Sequence, residues 1–206
     1  MSIATLLPER AARQQVAPAH SSLCAESAVS EIIHKIFIDT GDAGYQVVAF
    51  TSPGTKDDVS LLSALIAGRL GAMHGTVLAI SAEGLLNASS DEFRDSDFTK
   101  VHDSTIWVST KKPPTITAAQ LSHTAMLRTM AILKLRFDFI IVDAGGCTTL
   151  DRTKELIAYI DGFVLVVAER QTSVRKIIQA RQYLESNGAR MIGAIYNEAP
   201  RERQTK

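Results

Sequence analysis

Cysteine is scarce. Cys24 and Cys147 are the only two in 206 residues. Two thiols make neither a disulfide framework nor a zinc-binding spacing. A chain this long needs no such staple, because one domain of its size buries roughly 70% of the surface its unfolded form exposes. An excess of charge of one sign is also missing. Lys+Arg and Asp+Glu are both 22, giving a formal net charge of +0, which argues against nucleic-acid binding through bulk charge. No long apolar run occurs. The longest strongly apolar stretch, residues 163–168, falls far short of the about 20 residues of a membrane span. Near the start, a short apolar patch from Ile3 to Leu7 is followed by Arg10 and Arg13, too short and wrongly charged for a secretory signal. The expected location is the cytoplasm, with any membrane association supplied by a partner. The five histidines, His20, His34, His74, His102 and His123, share no spacing, so no metal site is expected.

What the chain does have is ordinary globular composition, 46% hydrophobic and 21% charged. Residues 1–20 carry Pro8, Pro18 and many small or polar residues and are expected to be a flexible leader. Residues 21–200 form the expected domain, and 201–206 a tail. Val29, Ile32, Ile33, Ile36 and Phe37 recur at helical spacing within residues 22–38, with Gly41 as a stop.

A rhythm of short β-branched runs and longer helical patterns follows. The runs cover residues 47–50, 77–80, 106–108, 139–142, 163–167 and 191–195. Several are apolar on consecutive positions, as strands are when both faces of a sheet are covered. Helices are expected over 59–71, 118–134, 152–160 and 173–186, and a polar surface loop over 87–103. The alternation predicts an α/β, doubly wound, mostly parallel sheet of about six or more strands with helices on both faces. Ligands of such folds bind at the carboxyl ends of the strands.

The first of these strands runs through Thr51 and Ser52 into a small-residue loop and then a helix. That is the layout of a P-loop, whose working form reads G-x-x-x-x-G-K-[ST]. Ser60 fits the hydroxyl position. Val59 stands where the lysine belongs and Asp58 where the second glycine belongs. Asp57 and Asp58 therefore fall where phosphates would bind. A unit charge about 6 Å from a phosphate charge costs roughly 3 kcal/mol at an effective dielectric of 20, on the order of 100-fold in affinity. The Asp pair also reads as the cap of a helix N-terminus in an ordinary βα loop, which is compatible with descent from a P-loop. Lys56 reads as a solvated loop lysine. Residues 137–143 run from an apolar strand into Asp143, a Walker-B pattern able to hold a magnesium-bound water, although a structural Asp that caps the following loop is an equal reading. Cys147 lies in a Gly-bearing loop, but a cysteine nucleophile needs a paired base, and none is readable.

From about Glu26 to Asn197 the chain resembles the cytoplasmic domain of bacterial tyrosine kinases (BY-kinases) of capsule and exopolysaccharide export, relatives of the ParA/MinD ATPases in the P-loop superfamily. The resemblance rests on the helix before the first strand, Phe50-Thr51-Ser52, Pro113-Pro114 with the helix after it, residues 137–143, residues 160–167 and residues 187–197. It implies the P-loop NTPase-like fold.

The departures matter as much. By resemblance, a second acidic motif should end the next strand, and Ser81 and Glu83 stand in its place. Glu26 matches the family's assembly helix, but Val29 and Ile32 replace its arginines. No tyrosine follows Tyr196. Ser60, Asp143 and Asn197 remain as a nucleotide-binding remnant, whereas Val59, Ser81 and Glu83 are degenerate positions. The resemblance with these losses implies a non-catalytic, pseudokinase-like protein of surface-polysaccharide synthesis, with no cofactor. Its partner would be the cytoplasmic end of a membrane polysaccharide co-polymerase or an active BY-kinase. A monomer or dimer is expected rather than an octameric ring. The alternative is an active tyrosine autokinase, or a slow regulatory ATPase, using ATP and magnesium through a remodelled phosphate loop.

Overall fold

The computed structural model describes residues 2–4, 22–39, 44–54, 59–88, 98–101, 104–109, 122–147, 154–169 and 172–197. Its strands are β1 (Ser2–Ala4), β2 (Val47–Ser52), β3 (Val77–Ser81), β4 (Phe98–Lys100), β5 (Ile106–Ser109), β6 (Phe139–Gly146), β7 (Gly162–Ala168) and β8 (Met191–Asn197). They form one sheet in the order β1-β8-β7-β2-β6-β3-β5-β4. The six expected runs are the six mutually parallel strands, β8 through β5 in that order. β1 and β4 add antiparallel edges. β2, the strand that enters the loop before the first long helix, lies between β7 and β6 with every residue buried.

The helices are α1 (Ser22–Ile33), α2 (Val59–Met73), α3 (Ala82–Ala88), α4 (His123–Arg136) and α5 (Val174–Ser186). Successive strand residues point to opposite faces, so each strand feeds two cores. Val48 and Phe50 of β2 pack with α1 and α2, while Val47 and Ala49 join the cluster under α3, α4 and α5. That division explains why the strands read as unbroken apolar runs. At the amino edge of the sheet, Asp161 accepts from the N–H groups of Gln46 and Val47 at 3.1 and 2.8 Å. Its other oxygen pairs with Lys134 at 2.8 Å. The Gln46 side-chain amide donates to the carbonyls of Lys134 and Phe137, satisfying the last turn of α4. α5 starts at Ser173, whose hydroxyl accepts from Lys176 N, and stops at Gly188, whose φ of 84° suits a glycine.

Several expectations change. Residues 2–4 of the stretch expected to be a flexible leader pair with β8; residues 5–20 lie outside the described ones, as do Gly41, Pro113, Pro114 and the tail 201–206. The helix expected over 22–38 is α helix only to Ile33 and finishes as a π-helical turn, His34–Ile38. The helix expected over 118–134 is described over His123–Arg136. The one expected over 152–160 is a 3-10 turn, Lys154–Tyr159, with Leu156 and Ile157 buried. The loop expected over 87–103 is wrong at both ends. Asn87 and Ala88 are buried in α3, and Phe98 of β4 is buried against Phe137. Leu85, Leu86 and Phe98 supply the apolar anchors, too few and too widely spaced to show a period. Trp107 is half-buried on β5 under the Arg136 guanidinium.

Candidate functional site at the carboxyl edge

Register builds the site. Phe50 of β2 and Ser81 of β3 both lie opposite Asp143 of β6, so three strand ends converge on one carboxylate. The first turn of α2 brings Ser60 over it, and the Ser60 hydroxyl donates to Asp143 Oδ2 at 2.5 Å. Oδ1 of Asp143 accepts from Gly145 N at 3.0 Å. That turn holds Gly145 at a φ of 61°, a left-handed conformation. Both carboxylate oxygens are thus engaged. Ser60 and Asp143, 83 residues apart and read in the sequence as a P-loop hydroxyl and a Walker-B aspartate, are brought together.

Beneath them lies a contact that sequence reasoning missed. Thr51, fully buried, donates to the Gly145 carbonyl at 2.9 Å, and its oxygen lies 3.5 Å from Cys147 Sγ. It ties the end of β2 to the end of β6. A polar residue closing an otherwise apolar strand was the available signal. Burial pushes the Cys147 thiol up from its ordinary pKa, only partly offset by Thr51. A thiol so placed is mostly protonated at neutral pH and a poor nucleophile. Ser52, also buried, turns the chain by donating to the Gly54 carbonyl at 2.6 Å. Lys56, Asp57 and Asp58 lie outside the described residues.

The positions expected to be degenerate take structural roles. Val59 is 3% exposed and packs in the core cluster that holds Val29, Ile32, Phe50 and Leu62. Ser81 caps α3, accepting from Gly84 N at 3.0 Å. Glu83 is exposed in the first turn of that helix, where its charge suits the macrodipole. Asn197 ends β8 opposite Ala168, and its carbonyl accepts from Glu169 N. It shares the carboxyl edge, but β7 and β2 stand between it and Asp143, so it is not brought to the Ser60–Asp143 pair. Val29 and Ile32 are buried, and Glu26 is exposed.

A hydroxyl and a carboxylate in contact are a suitable donor set for a hydrated magnesium ion. Among the described residues, two other positions of a nucleotide site do not fit. At the lysine position a buried valine offers phosphate no charge, and at the acidic position of β3 a serine is already spent on a helix cap. Among the described residues, no group of three or more His, Cys, Asp or Glu side chains could hold a metal ion, and no helix is long and apolar enough to cross a membrane.

The fold is that of bacterial tyrosine-kinase domains and of ParA/MinD-type ATPases. The chimerical protein CapA2B2 superposes with a TM-score of 0.75 at 15% identity, over 85% of this chain and 85% of that one. The kinase domain of the Escherichia coli tyrosine kinase ETK gives 0.71 at 17% identity over 89% of this chain and 79% of its own. The cell-division protein MinD of Aquifex aeolicus gives 0.59 at 19% identity over 75% and 70%. No protein-family model matches the sequence, and no curated protein does either.

Proposed function

We propose that this chain is a degenerate BY-kinase-like protein, a pseudokinase, that acts by binding in exopolysaccharide or other surface-polysaccharide synthesis. The observation that carries this reading is the fate of two positions. Val59 is built into the core where a phosphate lysine would stand, and Ser81 caps α3 where a catalytic acid would stand. Without that charge pair, phosphoryl transfer lacks both its phosphate clamp and its second carboxylate. The better fit to kinase domains than to MinD, TM-scores of 0.71–0.75 against 0.59, supports the choice of family. The partner is the cytoplasmic end of a membrane polysaccharide co-polymerase or an active kinase of the same system. The protein works in the cytoplasm, reaching the inner face of the membrane through that partner.

The surviving Ser60–Asp143 pair favours one second reading, a slow regulatory ATPase or autokinase that still takes magnesium-ATP, with Asn197 near the base. Calorimetric titration of magnesium-ATP into the purified chain, with labelled ATP as a second readout, separates the two. The pseudokinase shows no saturable heat and no label. Phosphotyrosine on Tyr45, Tyr159, Tyr183 or Tyr196 establishes the second reading and ends the first.

A further inference from the structure

The helix that follows the site lacks a polar side. α2 has fifteen residues and one charge, Arg69. Its inner face, including Leu62, Ile66 and Leu70, is fully buried. Its outer face is apolar as well, with Leu61 60% and Leu65 45% exposed. A helix apolar all round is normally covered all round. Between α1 and α2 runs a groove of about 530 Å³ lined by Glu26, Val29, Ala64, Leu65, Gly68 and Arg69, among others.

Gly68 is the telling residue. A glycine inside a helix weakens it, so it requires a reason. The neighbouring Gly71 has one within the chain: a Cβ there would lie 2.9 Å from Thr105 Oγ1 and 3.0 Å from Ile106 Cγ1. Among the described residues Gly68 has none, because a Cβ there meets nothing within 4 Å. Small residues on a helix face allow another helix to approach closely. We infer that the outer face of α2 and the groove beside it pair with the same face of a second copy of this chain, in a two-fold dimer.

The occupant is argued from self-complementarity. Leu61 and Leu65 form a ridge at i and i+4, and Ala64, Gly68 and Ala72 form a furrow at the same spacing on the same helix. Ridges at this spacing pack into furrows at this spacing, so one helix carries both halves of the joint. The two charges lining the groove, Glu26 and Arg69, are of opposite sign. In a two-fold interface every contact occurs twice, so Glu26 of one copy set against Arg69 of the other, whose Nε donates to Ser30 Oγ at 3.3 Å in the single chain, would form two symmetric ion pairs. This arrangement does not depend on whether the carboxyl edge binds nucleotide.

Sedimentation equilibrium of the full chain across the micromolar range tests it. A monomer–dimer equilibrium is expected. Gly68→Leu fills the furrow from a position whose Cβ has open space and raises the dimer Kd at least about tenfold, the effect of losing a central contact. Gly68→Ala acts in the same direction and raises the thermal midpoint of the monomer. Glu26→Arg and Arg69→Glu each weaken association, and the double exchange restores it, the signature of coupled sites. Thermal midpoints measured alongside separate lost folding from lost association. A monomer at every concentration overturns the inference. So does a dimer indifferent to Gly68→Leu, or a closed ring larger than a dimer.

Discussion

The Ser60 hydroxyl and the Asp143 carboxylate, one from the first turn of α2 and one from the end of β6, are joined directly by a 2.5 Å hydrogen bond. The bond fastens a helix start to the centre of the sheet. Ser60→Ala should therefore destabilise the fold by about 1 kcal/mol, the net worth of one such bond at a partly solvated carboxylate. Asp143→Ala also releases Gly145 N and should cost more. Urea unfolding of both variants and the double variant measures the coupling, expected at about 0.5–1 kcal/mol. Strict additivity would show that the two side chains do not interact in solution.

A second carboxylate gives a pH signature. Asp138 Oδ2 accepts from the backbone N–H and the hydroxyl of Thr76 at 2.7 and 2.8 Å, and these bonds hold its pKa below the ordinary carboxylate value. A depressed folded pKa contributes stability above the unfolded value of about 3.9 and loses it as pH falls through the folded value. The side chain is exposed, so solvent screening keeps the gain below about 1 kcal/mol. Denaturant midpoints of wild type and Asp138→Asn should differ at pH 6 and converge on acidification below about pH 4. A constant gap down to low pH contradicts this. Gly75→Ala should abolish the same pH effect, because its Cβ would fall 2.4 Å from Asp138 Oδ2.

Cys147 should be slow to react. Its thiol is desolvated, with its pKa raised, and reaction requires the thiolate. In a Cys24→Ser background, iodoacetamide at neutral pH should label the native chain far more slowly than the urea-unfolded one. Equal rates would place the thiol in water, and the Thr51–Cys147 contact would not exist in solution.

The six parallel strands were legible because a sheet covered on both faces leaves consecutive apolar residues, as at Val47 to Phe50 and Phe163 to Val167. The site was legible where a local pattern carried it: strand, loop and helix around Ser60, and strand then acid at Asp143. α3 and β4 were not, since their existence depends on Leu85, Leu86 and Phe98 finding a core made by distant segments. The Thr51–Gly145 bond joins residues 94 apart, and the sequence marks only its Thr51 end, as a polar residue closing an apolar strand. Ser81 was legible only as a missing acid. That it caps a helix required seeing α3, because a capping serine and a lost aspartate read alike in sequence.

Val59 supplies the sharpest test of how far the site has moved from a phosphate cradle. On sequence alone, putting a lysine at the motif position by Val59→Lys adds a phosphate contact. In the fold it replaces a side chain 3% exposed, packed in the cluster that includes Ile32, Phe50 and Leu62. An ammonium there must lose hydration or drag its stem out of the core, and unpaired burial of charge is costly. The expected outcome is destabilisation by about 2 kcal/mol or more with no measurable magnesium-ATP binding. Urea unfolding and equilibrium titration on the same preparation decide it. If Val59→Lys is as stable as wild type and binds ATP, the valine is a recent loss from a site still shaped for phosphate, and the pseudokinase reading rests on one residue. If it is destabilised and silent, the core has grown into the place of the lysine, and no single substitution will recover the nucleotide.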